Sequence, residues 1–171
     1  MPNHVSHVFT ITGESENIKN FINRCISKDG EFNFSSLVPK PEILEKTISG
    51  NTEEMQTDKY KAIEKEAMET TGFKNWYDWS IENWGTKWNA YSTSYVNHGD
   101  LIELEFDTAW SCPNPIFNSL AKEYPTMIFH GYAIDEGCGF GAEITIEDGS
   151  SNIEYFDVNA GFMSAFSYRF D

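Results

Sequence analysis

Apolar residues recur in this chain with a period that switches between two and 3.6, and the order of the switches leaves few architectures open. Val5, His7, Phe9 and Ile11 alternate in a β-branched and aromatic run that Gly13 ends, which predicts a strand over Val5–Thr12. Ile18, Phe21, Ile22, Cys25 and Ile26 then lie at i, i+3, i+4, i+7 and i+8, the stripe of an amphipathic helix from Ser15 to Ser27. Period two returns in Trp88–Val96 and Leu101–Asp107, joined by Asn97-His98-Gly99-Asp100 as a hairpin. Asn114-Pro115 resembles a helix start, and Ile116, Phe117, Leu120, Ala121 and Tyr124 form a helical stripe that Pro125 closes. Met127–Ile134 reads as a strand, and beyond a glycine-rich turn Ala142–Ile146 and Ile153–Val158 read as one more hairpin.

Between the first helix and the first hairpin lies a different region. Phe32–Val38 is extended and runs into Pro39 and Pro41. Glu42–Thr71 is charged and weakly periodic; a helix is predicted from Thr52, its N-cap, to Thr70, with Gly72 as its stop. A second helix is predicted over Phe73–Asn83, stopped by Gly85. The element order is βαββαβ, the split βαβ of ferredoxin-like folds. The expected architecture is a single α+β domain over residues 1–171: an antiparallel sheet with a helical insertion at about 42–85 and a C-terminal β-hairpin extension. Its core would bury Phe9, Ile11, Ile102, Leu104 and Phe106 against Ile18, Phe21, Leu120 and Tyr124.

Charge narrows the function. A formal net charge of −15 opposes binding to nucleic acid or an anionic membrane, both of which demand basic residues, and it permits a basic protein partner. Cys25, Cys112 and Cys138 form no Cys-X-X-Cys pair or zinc pattern, so reduced thiols in the cytoplasm are expected, with no metal and no cofactor. The first residues lack the pattern of a signal peptide, and no apolar run approaches the roughly 20 residues that span a bilayer.

Four segments carry a family resemblance: HVFTITG (7–13), WYDWSIENWGTKWNAY (76–91), FDTAW (106–110) and GFGAE (139–143). In this order they resemble the YubB-type ferredoxin-like domain family, small accessory proteins found on phages and plasmids. The resemblance implies the ferredoxin-like fold and a mobile-element origin. The family has no established activity and supplies no catalytic residues. Ser111-Cys112-Pro113-Asn114-Pro115 departs from its pattern by placing a thiol in the proline-rich stretch.

The candidate site residues are Trp79, Asn83, Trp84, Trp88, Asn89, Asp107 and Trp110. On a helix begun at Phe73, the side chains of Phe73, Tyr77, Ile81 and Trp84 cluster as core, with Trp76 at the edge and Trp79 facing outward. An exposed Trp79 would suit a partner, although packing is the commoner fate of an indole. Asn83, Trp88, Asn89 and Trp110 have the groups to orient a flat polar ligand; equally, the asparagines are helix and turn caps. Glu103, Glu105 and Asp107 share one strand face, either simply solvated or meeting a divalent metal or a basic protein. The glycine-rich Asp135–Gly141 stretch lacks a P-loop lysine and reads as a bulged hairpin. The leading expectation is a non-enzymatic protein that binds a host factor, basic or nucleic-acid-processing, in a counter-defence or nucleic-acid-mimic role. The alternative is a small-molecule or nucleotide binder, or a hydrolase, with its pocket at Trp84, Trp88 and Trp110. Oligomeric state is open.

Overall fold

Nine residues of unbroken alternation, iso-spaced with buried Val5, His7, Phe9 and Ile11, make β1 (His4–Thr12) the strand on which the sheet is organised. The computed structural model describes residues 3–158. The remaining elements are α1 (Ser15–Cys25), α2 (Asp58–Thr71), α3 (Trp76–Trp84), β2 (Tyr91–Asn97), β3 (Leu101–Ala109), α4 (Asn114–Glu123), β4 (Ile128–Asp135), β5 (Gly141–Glu147) and β6 (Ser150–Phe156). The strands form one antiparallel sheet in the order β2-β3-β1-β4-β5-β6. Its first four members have the split βαβ order, so the fold is ferredoxin-like α+β, and β5 and β6 extend the β4 edge as the second hairpin. Among the described residues no helix is long and apolar enough to cross a membrane.

One face of the sheet is covered. Phe9, Ile11, Ile102, Leu104, Phe106 and Phe129 are buried there together with Ile18, Phe21, Phe117 and Leu120 of α1 and α4. Full burial of one such side chain is worth roughly 1.5–3 kcal/mol. Phe9 lies against Gly131, its register partner on β4: a Cβ there would come within 2.6 Å of the ring and 2.5 Å of the Val8 carbonyl. His7 is the polar exception on this face. It is 1% exposed, stacks on Phe106 at 4.5 Å, and neither ring nitrogen has a hydrogen-bond partner among the described residues. Burial lowers its pKa to about 3, outweighing the backbone at Val5 and Phe106, which favours the charged ring.

The inserted region departs from expectation at its boundaries. α1 ends at Cys25 rather than Ser27 because Ile26 turns extended and bridges to Phe32. Within Phe32–Val38 the chain takes a short 3-10 turn at Phe34–Ser36. The cap of α2 is Thr57, whose hydroxyl accepts from the Tyr60 amide at 3.2 Å; Thr52 precedes only a 3-10 turn and makes no side-chain cap. Gly72 and Gly85 end α2 and α3 in the left-handed conformation, as their positions predict.

Candidate functional site

On the other face of the sheet the side chains follow from the register, with Ala109 and Ile134 buried near the end where β1 begins. Ser94, Glu105, Val8, Tyr132, Glu143 and Glu154 stand in one row across all six strands. Neighbouring rows add Glu103 and Thr10 beside His130, and Asp107 beside Ser6. Glu147 continues the series along β5. Among the described residues no strand contains Lys or Arg. Glu143 and Glu154 are directly opposed, an arrangement of like charges that destabilises a sheet. Local hydrogen bonds offset part of that cost. His130 Nε2 lies 2.9 Å from Glu143 Oε1, and the Tyr132 hydroxyl donates to the same oxygen at 3.1 Å. The two bonds, His130 first, hold the Glu143 carboxyl below its ordinary pKa.

At the end of this face where β1 begins, an aromatic corner forms. Tyr91 pairs with Asp107 in register, and its hydroxyl shares a 2.6 Å hydrogen bond with His4 Nδ1. Ser6 Oγ donates to Asp107 Oδ1 at 2.8 Å. Burial, then Asp107 and Glu136, push the Tyr91 hydroxyl up to about 12. The Trp88 ring lies edge-on to Tyr91 at 6.4 Å. Lys87 Nζ stands 4.7 Å from the Trp88 centroid and 4.9 Å from that of Trp110, within cation–π reach of both. Both indoles are exposed, at 40% and 44%. Trp110 takes φ 71, left-handed backbone that costs a bulky residue free energy. Its amide donates to the Asn3 carbonyl, Thr108 Oγ1 donates to the Ser111 carbonyl, and Ser111 Oγ donates to the Gly85 carbonyl; these bonds hold it there.

Three of the sequence-predicted residues meet here: Trp88, Asp107 and Trp110. The others do not. Trp79 is 5% exposed, which corrects the expectation of an outward-facing indole; it packs edge-to-face on buried Trp84 at 5.3 Å. Ile81, expected in the core, is 39% exposed. Both follow from the helix start. Asn75 caps α3 by accepting from the Asp78 amide and donating to its carboxylate, so Phe73 lies outside the helix and does not set its buried face. That face is Trp79, Ser80 and Trp84, with Trp76 and Asn83 half-buried beside them. Ser80 tolerates full burial because its hydroxyl donates back to the Trp76 carbonyl at 2.7 Å. Trp84 Nε1 donates to the Val38 carbonyl and Asn83 Nδ2 to the Trp79 carbonyl. Asn89 ties the segment before β2 to the loop after α1: it accepts from the Phe34 amide and donates to Asn33 Oδ1.

Tyr91, His4, His130 and Glu143 escape sequence reasoning because each meets its partners across strands, and Lys87 because one of its two indoles, Trp110, is distant in sequence. For the corner alone a signal exists: Lys87 precedes Trp88, and Tyr91 alternates with exposed positions. In the turn after β4, the Gly139 amide is taken by Asp135 Oδ2, so an internal carboxylate occupies the donor an anion would use. Burial pushes the Cys112 thiol up to about 12, and Cys25 is likewise raised. Among the described residues no three His, Cys, Asp or Glu side chains group as metal ligands.

The sheet order and the helices packed on one of its faces define a ferredoxin-like α+β domain. Residues 83–165 match the family model described as the ferredoxin-like domain in Api92-like protein. Over most of its length the chain is similar to the crystal structure of protein api92 from Yersinia pseudotuberculosis, with a TM-score of 0.58 and coverage of 94% of this chain and 99% of that one. At 7% identity this likeness is one of fold alone. Both comparisons carry the Api92 name; the YubB-type relationship stays a resemblance of motifs. The chain is also 34% identical over 65 residues to the putative thioredoxin H10 of Arabidopsis thaliana. That match covers 36% of this chain and 42% of the relative, so the chain spans under half the relative's length.

Proposed function

We propose that this is a non-enzymatic accessory protein of a phage or plasmid that binds a basic host protein through the open face of its sheet. The observation that carries the reading is the charge of that face. Glu103, Glu105, Asp107, Glu143, Glu147 and Glu154 line strands that contain no Lys or Arg. Stability alone does not favour placing Glu143 opposite Glu154. A cationic partner would relieve that repulsion, and complementary charge of this kind speeds association and selects partners. Along β3 the carboxylates recur every second residue, about 6.8 Å apart, twice the roughly 3.4 Å axial repeat of charge on one DNA strand. At half the charge density of one strand, the row favours a basic protein partner in general over close mimicry of a nucleic-acid backbone. RNA-binding sheets of this fold present aromatics to bases, and a carboxylate row there repels phosphate. The thioredoxin name adds nothing, since the sequence has no Cys-X-X-Cys.

The test is binding of an arginine-rich peptide to the full chain, followed across ionic strength. Affinity is expected to fall as salt rises, and the combined Glu103→Gln, Glu105→Gln, Glu143→Gln and Glu154→Gln variant to lose at least about tenfold. Equal binding by that variant, or none by the wild type, would sink the reading. A second reading, a nucleotide site, draws on the exposed indoles beside Lys87, which offer stacking and a cation for phosphate. Tryptophan quenching by ATP that disappears in Lys87→Ala would favour it.

A further inference from the structure

The aromatic corner carries an inference that rests on the basic-partner reading and adds a ligand chemistry to it. Lys87 Nζ lies over two indoles, 4.7 Å and 4.9 Å from their centroids, so Trp88 and Trp110 both contribute to holding one cation. The rings are unusually available for such a role, being 40% and 44% exposed. Trp110 is held in left-handed backbone by bonds on both sides of it, a cost that packing does not require of an exposed side chain. Strain of this kind, enforced by its surroundings, belongs to sites that hold a side chain ready. The corner also adjoins the acidic face through Tyr91, beside Asp107 and Glu136. A cation leaving water for the indoles therefore enters a region of negative potential.

Lys87 differs from a built-in wall of this site. Its ammonium ends a flexible four-carbon stem and is readily rehydrated, so it can leave the slot without unfolding anything. A guanidinium, planar and more weakly hydrated, stacks on indole more favourably than an ammonium does. We propose that Trp88 and Trp110 form a cation slot that Lys87 fills in the free protein, and that an arginine side chain of the basic partner displaces Lys87 to anchor the complex. Lys87 is then a competitor carried by the chain itself, setting a threshold that weakly basic surfaces do not pass.

The experiment titrates the full chain with hexa-arginine, read by tryptophan fluorescence, in wild type, Lys87→Ala, Trp88→Ala, Trp110→Ala and the Lys87→Ala/Trp88→Ala double variant. Lys87→Ala is expected to bind about threefold to tenfold tighter, and Trp88→Ala and Trp110→Ala about tenfold more weakly. Removing a positive charge alone would also tighten binding, so the double variant decides. The slot requires the gain from Lys87→Ala to shrink or vanish when Trp88 is absent. An equal gain in both backgrounds overturns the slot while leaving the acidic-face reading intact. A parallel titration with tetramethylammonium separates the two ideas in the other direction. Quenching in Lys87→Ala exceeding that in wild type, with no hexa-arginine binding by any form, supports the slot and removes the partner reading. Quenching by ATP that needs Lys87, without response to either cation, overturns the slot in favour of an anion site.

Discussion

His4 and His7 stand three residues apart on β1 and face opposite sides of one sheet. His4 reaches the open face and meets the Tyr91 hydroxyl at 2.6 Å. His7 is sealed beneath α4, stacked on Phe106 and without a hydrogen-bond partner among the described residues. The contrast extends over both faces. On the open side polar groups satisfy one another: Ser6 with Asp107, and His130 and Tyr132 with Glu143. On the covered side the core is aromatic and aliphatic, and the one buried imidazole pays for its position with its charge. The two tryptophan pairs repeat the lesson, Trp79 and Trp84 packed edge-to-face and Trp88 and Trp110 exposed beside the Lys87 ammonium. The covered face is held by apolar packing, and the other by hydrogen bonds among polar side chains.

Substitutions on the two faces are expected to differ in kind. Phe106→Ala and Trp84→Ala are each expected to cost about 3–5 kcal/mol, seen as a lowered urea midpoint, because each leaves a cavity in packed surroundings. A loss under about 1 kcal/mol would mean that these side chains are not tightly packed in solution. Gly131→Ala comes next, at about 1–3 kcal/mol, since its Cβ would meet the Phe9 ring and the Val8 carbonyl. The same measurement checks it, and a crystal structure of the variant should show Phe9 displaced.

His7→Leu is expected to stabilise by roughly 1 kcal/mol at neutral pH, by removing an unsatisfied buried polar group. The pH dependence sharpens this. Folded His7 has its pKa near 3 and the unfolded chain near 6.5, so between those values the unfolded state binds the extra proton. Wild-type stability should therefore fall as pH drops from about 6.5 towards 3, at up to about 1.4 kcal/mol per pH unit, relative to His7→Leu. Parallel pH profiles of the two proteins would show that His7 is hydrated in solution. The smallest effect belongs to the open side: Trp88→Ala and Trp110→Ala should change stability by no more than about 0.5 kcal/mol. Each should instead remove fluorescence that acrylamide quenches readily, whereas Trp84→Ala should leave that fraction intact.

Much of the covered face was legible in the residue pattern. The alternation of Val5, His7, Phe9 and Ile11 and the stripe of Ile18, Phe21 and Cys25 each report burial through a local period. Leu120 and the β3 residues Ile102, Leu104 and Phe106 did so too, and they met as expected. The start of α3 differs from the expected Phe73 although its signal is local: Asn75 and Asp78 form a cap, and a helix begun there buries Trp79. Ser80 was harder, because its burial depends on a hydroxyl bond that hydrophobicity does not register. The site was less legible. Trp88, Asp107 and Trp110 were singled out by type, but nothing in their spacing shows Lys87 between the indoles or Tyr91 bonded to His4.

What the sequence determined by itself is the set of strands and helices, their order, and which residues of β1, β3, α1 and α4 face inward. Period and capping are consequences of backbone geometry within a few residues, so they can be read without knowing the fold. The tertiary structure decided which tryptophans are wet, which carboxylates stand opposite one another, and where a lysine finds two indoles. Those outcomes depend on register across strands and on loops brought together from residues 3, 85–91 and 107–111. Packing sets them, and no local period encodes it.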